Sequence, residues 1–196
     1  MGNGKVKGLY FSDLFDKLSG SSSGYSLEER LFYSSLVIGI LAGVVTCTLA
    51  VFILDSPVLI ITGYFLSALL IVAFILAQRG YDFKLFIGPV LVVYLLGFIL
   101  MWFFGGGADS QNIILAIVLF IISLIIVSEN KRLYVLIIFL LCVLTFYLIQ
   151  LYFPQSVKPY GSVKERWIDS LVTIMSSTFF IYILVRYILK NYSIER

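Results

Sequence analysis

The stretch LYVLIIFLLCVLTFYLIQLYF, from Leu133 to Phe153, runs for 21 residues without a charged side chain. An α-helix rises 1.5 Å per residue, so a segment of this length reaches about 30 Å, the thickness of a bilayer's hydrocarbon core. It is bounded by the tight polar turn Glu129-Asn130-Lys131-Arg132 and by the connection Pro154 to Lys164. Working outward, the pattern recurs on both sides: Leu31 to Leu54, Val58 to Ala77, Leu85 to Phe104, and Arg166 to Leu189. A shorter apolar stretch, Asn112 to Ser128, reaches spanning length only if Ser110 and Gln111 join it. The reading is an all-α integral membrane protein, a bundle of six transmembrane helices with both termini cytoplasmic. Six such helices use nearly all 196 residues and leave no room among them for a soluble domain of catalytic size.

Composition agrees. The hydrophobic fraction is 61%, the charged fraction 13% and the mean hydropathy +1.05. Soluble domains carry about 25% charge. The net charge of +3 is too small to point to nucleic acid. Met1 to Gly24 is polar, with Asp13 and Asp16 beside Lys5, Lys7 and Lys17, and has no signal-peptide h-region. The chain has no histidine, which removes His-ligated metal sites, Ser-His-Asp chemistry and an imidazole pH switch. No catalytic residue, metal site or cofactor is expected. Cys47 and Cys142 fall inside apolar stretches, where thiols behave as small hydrophobes; a disulfide or redox role is the alternative.

The chain divides into a cytoplasmic segment 1–25, a membrane domain 26–192 and the start of a linker at 193–196. Within the first segment, Leu9, Tyr10, Phe11, Leu14, Phe15 and Leu18 share one helical face, giving either an interfacial helix or a frayed tail. Gly20-Ser21-Ser22-Ser23-Gly24 is a flexible linker. Ser26 and Glu29 have capping-box spacing ahead of the first span. Orientation follows from Lys and Arg. With a cytoplasmic N-terminus, that side holds Lys5, Lys7, Lys17, Arg30, Arg79, Lys84, Lys131, Arg132, Arg186, Lys190 and Arg196, against Lys158, Lys164 and Arg166 outside.

Two constellations stand out. Ser35, Gly39, Gly43 and Cys47 form a small-residue stripe at four-residue spacing on the first span, suited to close packing within the bundle or to a dimer contact. The second lies at the predicted outer face. Trp102 to Asn112, with Gly105-Gly106-Gly107 and Asp109 inside it, joins the third and fourth spans; Tyr152, Tyr160, Arg166, Trp167 and Asp169 bracket the last connection. Successive glycines permit positive φ, and Arg166 and Asp169 at i,i+3 can pair or face a common partner. These residues read either as aromatic belt and cap or as a ligand-responsive pocket, with Trp102, Asp109, Asn112, Tyr152, Tyr160, Arg166 and Asp169 as its candidate sensing residues. Ionisable groups are nearly absent from mid-span, and no Gly/Pro-broken halves repeat, which disfavours ion-coupled transport.

Four segments carry a resemblance: Leu27-Glu28-Glu29-Arg30, the Trp102 to Gly107 turn, Tyr152-x-Pro154…Tyr160…Arg166-x-x-Asp169, and Leu184 to Tyr192. Across about residues 26–192 the chain resembles the six-helix N-terminal membrane region of bacterial sensor histidine kinases, especially those of Bacteroidetes-type bacteria. It is also similar to the anchor that precedes some bacterial adenylyl cyclases. Two departures stand in the outer loops: Gly105 replaces an Asn common in the family's Trp-x-x-Asn-Gly-Gly turn, and Gln150 stands where the family often has Glu. The resemblance implies a sensory and anchoring domain in the bacterial inner membrane that receives a small ligand at its outer face. It would relay the signal through the sixth helix to a cytoplasmic kinase or cyclase domain in cis, with homodimerisation through that domain. The chain then reads as an excised module or a stand-alone relative. The alternative function is a small multi-pass channel or transporter; a structural or interaction partner without its own ligand is the third.

Overall fold

The computed structural model describes residues 26–53 and 57–195. Among these residues six α-helices follow one another: α1 Leu27–Ile53, α2 Pro57–Gln78, α3 Lys84–Phe104, α4 Asn112–Ile126, α5 Glu129–Tyr152 and α6 Val163–Glu195. Short 3₁₀ turns at Gly107–Asp109 and Pro154–Ser156 sit in the connections after α3 and α5. No strand occurs among the described residues. The expected interfacial helix, the Ser/Gly linker and the Asp55-Ser56 part of the first break lie outside the described residues.

Five helices are long and apolar enough to cross a membrane: α1, α2, α3, α5 and α6. The fourth is the exception. With 15 residues, α4 spans only about 22 Å, because Ser110 and Gln111 stay outside it. Six transmembrane helices were expected, the fourth short unless Ser110 and Gln111 joined it; among the described residues five helices reach spanning length and the fourth is a short apolar helix.

Local chemistry fixes the helix ends. At α1 the Glu29 carboxylate accepts from the Ser26 amide at 2.7 Å, and the Glu29 amide donates to Ser26 Oγ at 3.2 Å, a complete capping box. The same device, Ser162 with Glu165, starts α6 about one turn before the apolar run suggested: the Glu165 amide donates to Ser162 Oγ, and Glu165 also accepts from the Gly161 amide. Pro57 occupies the first position of α2, where its missing N–H costs nothing. Gly80 ends the α2 turn with φ +92°, a conformation that glycine adopts without strain.

Packing is centred on α1, which touches α2, α3, α4 and α6. More than half of its spanning window is buried (56%), against 6% for the peripheral α5. The main core gathers Phe32, Leu36, Val90, Tyr94, Ile122 and Phe180. The small-residue stripe lies on the face of α1 turned to α2 and α3. Tyr94 of α3 donates its hydroxyl to the Ser35 carbonyl at 2.8 Å, and a Cβ on Gly39 would sit 2.6 Å from that hydroxyl. A Cβ on Gly43 would strike Ser67 of α2, and one on Gly63 of α2 would strike Cys47. These contacts place the stripe inside the bundle. Between α1 and α2, at Gly43 with Ser67 and Gly63 with Cys47, neither side carries bulk, which is how helices associate where no hydrophobic effect separates them from lipid; at Gly39 the missing side chain makes room for Tyr94.

A polar cap at one end of the bundle

The candidate site forms where α3 ends, α4 begins and the α5–α6 connection folds over both. Trp102, in the last turn of α3, is fully buried against Phe146 and Tyr147 of α5, with ring centroids 5.9 and 4.9 Å away. Its indole Nε1–H is buried with no hydrogen-bond partner. Beyond Phe104 the chain reverses through Gly105-Gly106-Gly107. Gly106 (φ +91°) and Gly107 (φ +56°) take left-handed conformations; Gly105 does not, at φ −114°. Side chains are excluded for a second reason as well. A Cβ on Gly106 would enter the Tyr160 ring, and one on Gly107 would meet the Gln150 amide.

Helix ends leave orphan carbonyls and amides, and the cap satisfies them. Asn112, first residue of α4, donates Nδ2 to the Gly105 carbonyl at 2.9 Å and to the Met101 carbonyl at 3.3 Å. Ser110 donates Oγ to the Gly107 carbonyl at 2.7 Å and accepts from the Asn112 amide. Gln150 of α5 accepts from the Ala108 amide at 2.9 Å, and the Lys158 amide donates to the Phe103 carbonyl at 2.8 Å.

Tyr160 joins these loops to α6. Its hydroxyl lies 3.1 Å from the Gly105 carbonyl and also hydrogen-bonds the Asp169 carboxylate. A phenol has one proton, so the two acceptors compete for it. Burial first, then the hydrogen bond to Asp169 and its charge, push the Tyr160 phenol well above its ordinary range, so it stays a donor. Asp169 is 8% exposed and is the one buried carboxylate among the described residues. Below it on the same face of α6, Thr173 and Ser177 continue a buried polar stripe at four-residue spacing. Ser177 Oγ has no hydrogen-bond partner, whereas Ser176 bonds the Val172 carbonyl at 2.7 Å.

Of the residues singled out in the sequence, Trp102, Asn112, Tyr160 and Asp169 come together here. Asp109, Tyr152 and Arg166 are exposed around the cap. Arg166 and Asp169 were expected to pair or to face a common partner. Asp169 turns inward to hydrogen-bond Tyr160, and exposed Arg166 acts on the same phenol through its charge, so the two share a partner rather than pairing. Gln150 and Ser110 belong to the cap although neither was a candidate. A lone glutamine near the end of an otherwise apolar span was the available signal for Gln150, and it registered only as a departure from the family pattern. Among the described residues, no three Cys, Asp or Glu side chains gather as a metal ion would require.

Neither family models, curated proteins nor solved structures match this chain. What fold and composition define is a class: an all-helical protein with several apolar helices, as in multi-pass membrane proteins.

Proposed function

We propose that the chain is a membrane sensory and anchoring domain that relays an event at the cap through α6 to a cytoplasmic output domain, as in the sensor histidine kinases and adenylyl cyclases it resembles. The cap faces outward in the bacterial inner membrane and both termini are cytoplasmic, by the bias of Lys and Arg to one side. One observation carries the reading. A single Tyr160 proton stands between the Gly105 carbonyl of the α3–α4 turn and the Asp169 carboxylate of α6.

An intramembrane carboxylate is costly and usually marks function, and here its partner sits in a mobile class of element, a connection, rather than on a neighbouring helix. A small polar ligand at the cap shifts the Gly105–Tyr160–Asp169 balance by competing for the Tyr160 hydroxyl. Releasing Asp169 from Tyr160 leaves a buried charge that α6 must move to solvate. The Thr173-Ser177 face is small enough for a slide of about 1–2 Å, the scale of ordinary helix shifts in signalling. The output domain, a kinase or cyclase acting as a homodimer, then receives the displacement through the continuous helix Val163–Glu195.

The test joins a cyclase catalytic domain after Arg196 and measures its activity for Asp169→Ala and Arg166→Ala at matched membrane levels. Asp169→Ala is expected to change output by about fivefold or more, the lower end of ordinary coupling free energies, and exposed Arg166→Ala to change it less. Wild-type basal and stimulated activity in both variants would make α6 an anchor only.

A further inference from the structure

Opposite the cap, the bundle is open on one side. Helices α3 and α5 run in parallel and meet through aromatic rings toward the cap, where Phe98 lies 5.3 Å from Phe146 and 6.0 Å from Phe139. Toward their N-terminal ends a gap separates them, floored by the short α4. The result is a groove of about 340 Å³, lined on α3 by Gly88, Leu91 and Leu95 and on α5 by Val135 and Ile138. It opens sideways: Val92 and Ile138 on its rims are 55% and 53% exposed. Its inner end is closed by Phe139 stacked on Phe120 of α4 at 4.4 Å. From Gly88 to Phe98 the helix rises about 15 Å, half a hydrocarbon core and thus the depth of one leaflet.

Charge marks the other end. On α3 the groove-facing stripe Leu95-Leu91-Gly88, continued by one turn, arrives at Lys84; on α5 the stripe Ile138-Val135 arrives at Lys131, with Arg132 beside it. All three cations are exposed. Two carboxylates lie near them. Asp82, which accepts from the Lys84 backbone amide at 3.0 Å, offsets part of the charge at α3, and Glu129 shares a side of α5 with Arg132 rather than with Lys131, so Lys84 and Lys131 are the cations left to the groove mouth. A second copy of this chain would bring the same positive rim against itself, so charge disfavours it. An apolar slot one leaflet deep with a cationic mouth matches one molecule: a lipid with an apolar tail and an anionic head.

We infer that the groove between α3 and α5 is a binding site for an anionic phospholipid, one acyl chain lying against Gly88 and Ile138 and the phosphate held by Lys84 and Lys131. Gly88 keeps the slot open, since a Cβ there would meet nothing within 4 Å. The site lies between α3 and α5 with α4 beneath it, and Phe98 at its inner end also packs on Trp102 of the cap.

The experiment reconstitutes the full chain into phosphatidylcholine vesicles with a trace of phosphatidylglycerol carrying a diazirine midway along one acyl chain. After photolysis, the labelled peptides are mapped. Label is expected on Gly88, Leu91, Leu95, Val135 and Ile138 well above that on Ile137 and Leu144, which do not line the groove. Unlabelled phosphatidylglycerol should compete with it, and extra phosphatidylcholine should not. Joint Lys84→Gln and Lys131→Gln substitution should lower groove label by about tenfold or more, at roughly fivefold per cation, and leave Leu144 label unchanged as proof of insertion. Gly88→Leu should lower it by filling the slot. Equal label on both faces of α5, or equal competition by the two lipids, would overturn the proposal. So would a groove shielded from label in which Ile138→Cys forms disulfide-linked dimers, because the occupant would then be a second copy.

Discussion

The hydroxyl of Tyr160, from the loop before α6, donates to the carboxylate of Asp169, seven residues into that helix, while lying within reach of the Gly105 carbonyl at the end of α3. One proton thus ties three elements together, and the tie is the most exposed point of failure in the cap. Tyr160→Phe keeps the ring that fills the space beside Gly106 but leaves a buried carboxylate without its donor. A loss of about 1–3 kcal/mol is expected, the usual cost of a buried polar group left unpaired. Asp169→Asn, which keeps an acceptor and removes the charge, should cost less. Thermal unfolding of both variants in one detergent decides the order; equal melting to wild type in Tyr160→Phe would mean that the bond carries no stability.

The same bond gives a pH dependence with a definite sign. Burial and Asp169 raise the folded-state pKa of Tyr160 above its unfolded value near 10, so the neutral phenol is the favoured folded form. Its contribution is therefore complete below about pH 10 and falls as pH rises beyond that, because the unfolded chain then releases a proton that the folded one holds. The difference in melting temperature between wild type and Tyr160→Phe should be constant from pH 7 to 9 and narrow above about pH 10. A difference that grows there would contradict the assignment.

Close approach of α1 to α2 and α3 predicts a pattern among glycines. Gly39→Leu must displace Tyr94 and its bond to the Ser35 carbonyl, and Gly43→Leu must displace Ser67. Each should cost about 1–3 kcal/mol as an overfilled site. Gly88→Ala, with open space around it, should not destabilise by that route. Differential scanning fluorimetry on the three variants would show it. Unchanged melting for Gly39→Leu and Gly43→Leu would remove the stripe from the bundle interior.

Topology is open to chemistry. A cysteine at position 131, in a chain whose Cys47 and Cys142 are replaced by serine or alanine, should be modified by an impermeant maleimide only after the cells are opened. A cysteine at position 158 should react in intact cells. The opposite pattern would invert the bundle and place the cap inside.

Much of this was legible because apolar length is a strong signal. The starts of α2 and α3 fall within a residue of the apolar boundaries, and Ser26-x-x-Glu29 announced the start of α1. Ser162-x-x-Glu165 carries the same signature and extends α6 toward the cap, into residues that the charged Lys164 makes read as the end of the connection. Positive φ at Gly106 and Gly107 follows from three successive glycines, but which two of them adopt it depends on Tyr160 and Gln150 pressing on the turn. Site membership was harder. Arg166 and Asp169 share a helix face by spacing alone, and spacing cannot say that a phenol from the preceding loop reaches the carboxylate first. Asp109 and Tyr152 sit at the right depth yet point away, since depth follows from sequence position and direction follows from packing.

The central claim is that the cap and the cytoplasmic end of α6 are coupled, and the most direct measurement reads both in one molecule. A cyclase domain joined after Arg196 is assayed in membranes for wild type and Tyr160→Phe at equal protein level, with melting temperature recorded alongside. The account predicts that Tyr160→Phe changes basal cyclase activity by about fivefold or more while the protein remains folded and inserted. Basal activity identical to wild type in a variant whose cap is measurably destabilised would contradict it, because the cap would then have moved without the output noticing.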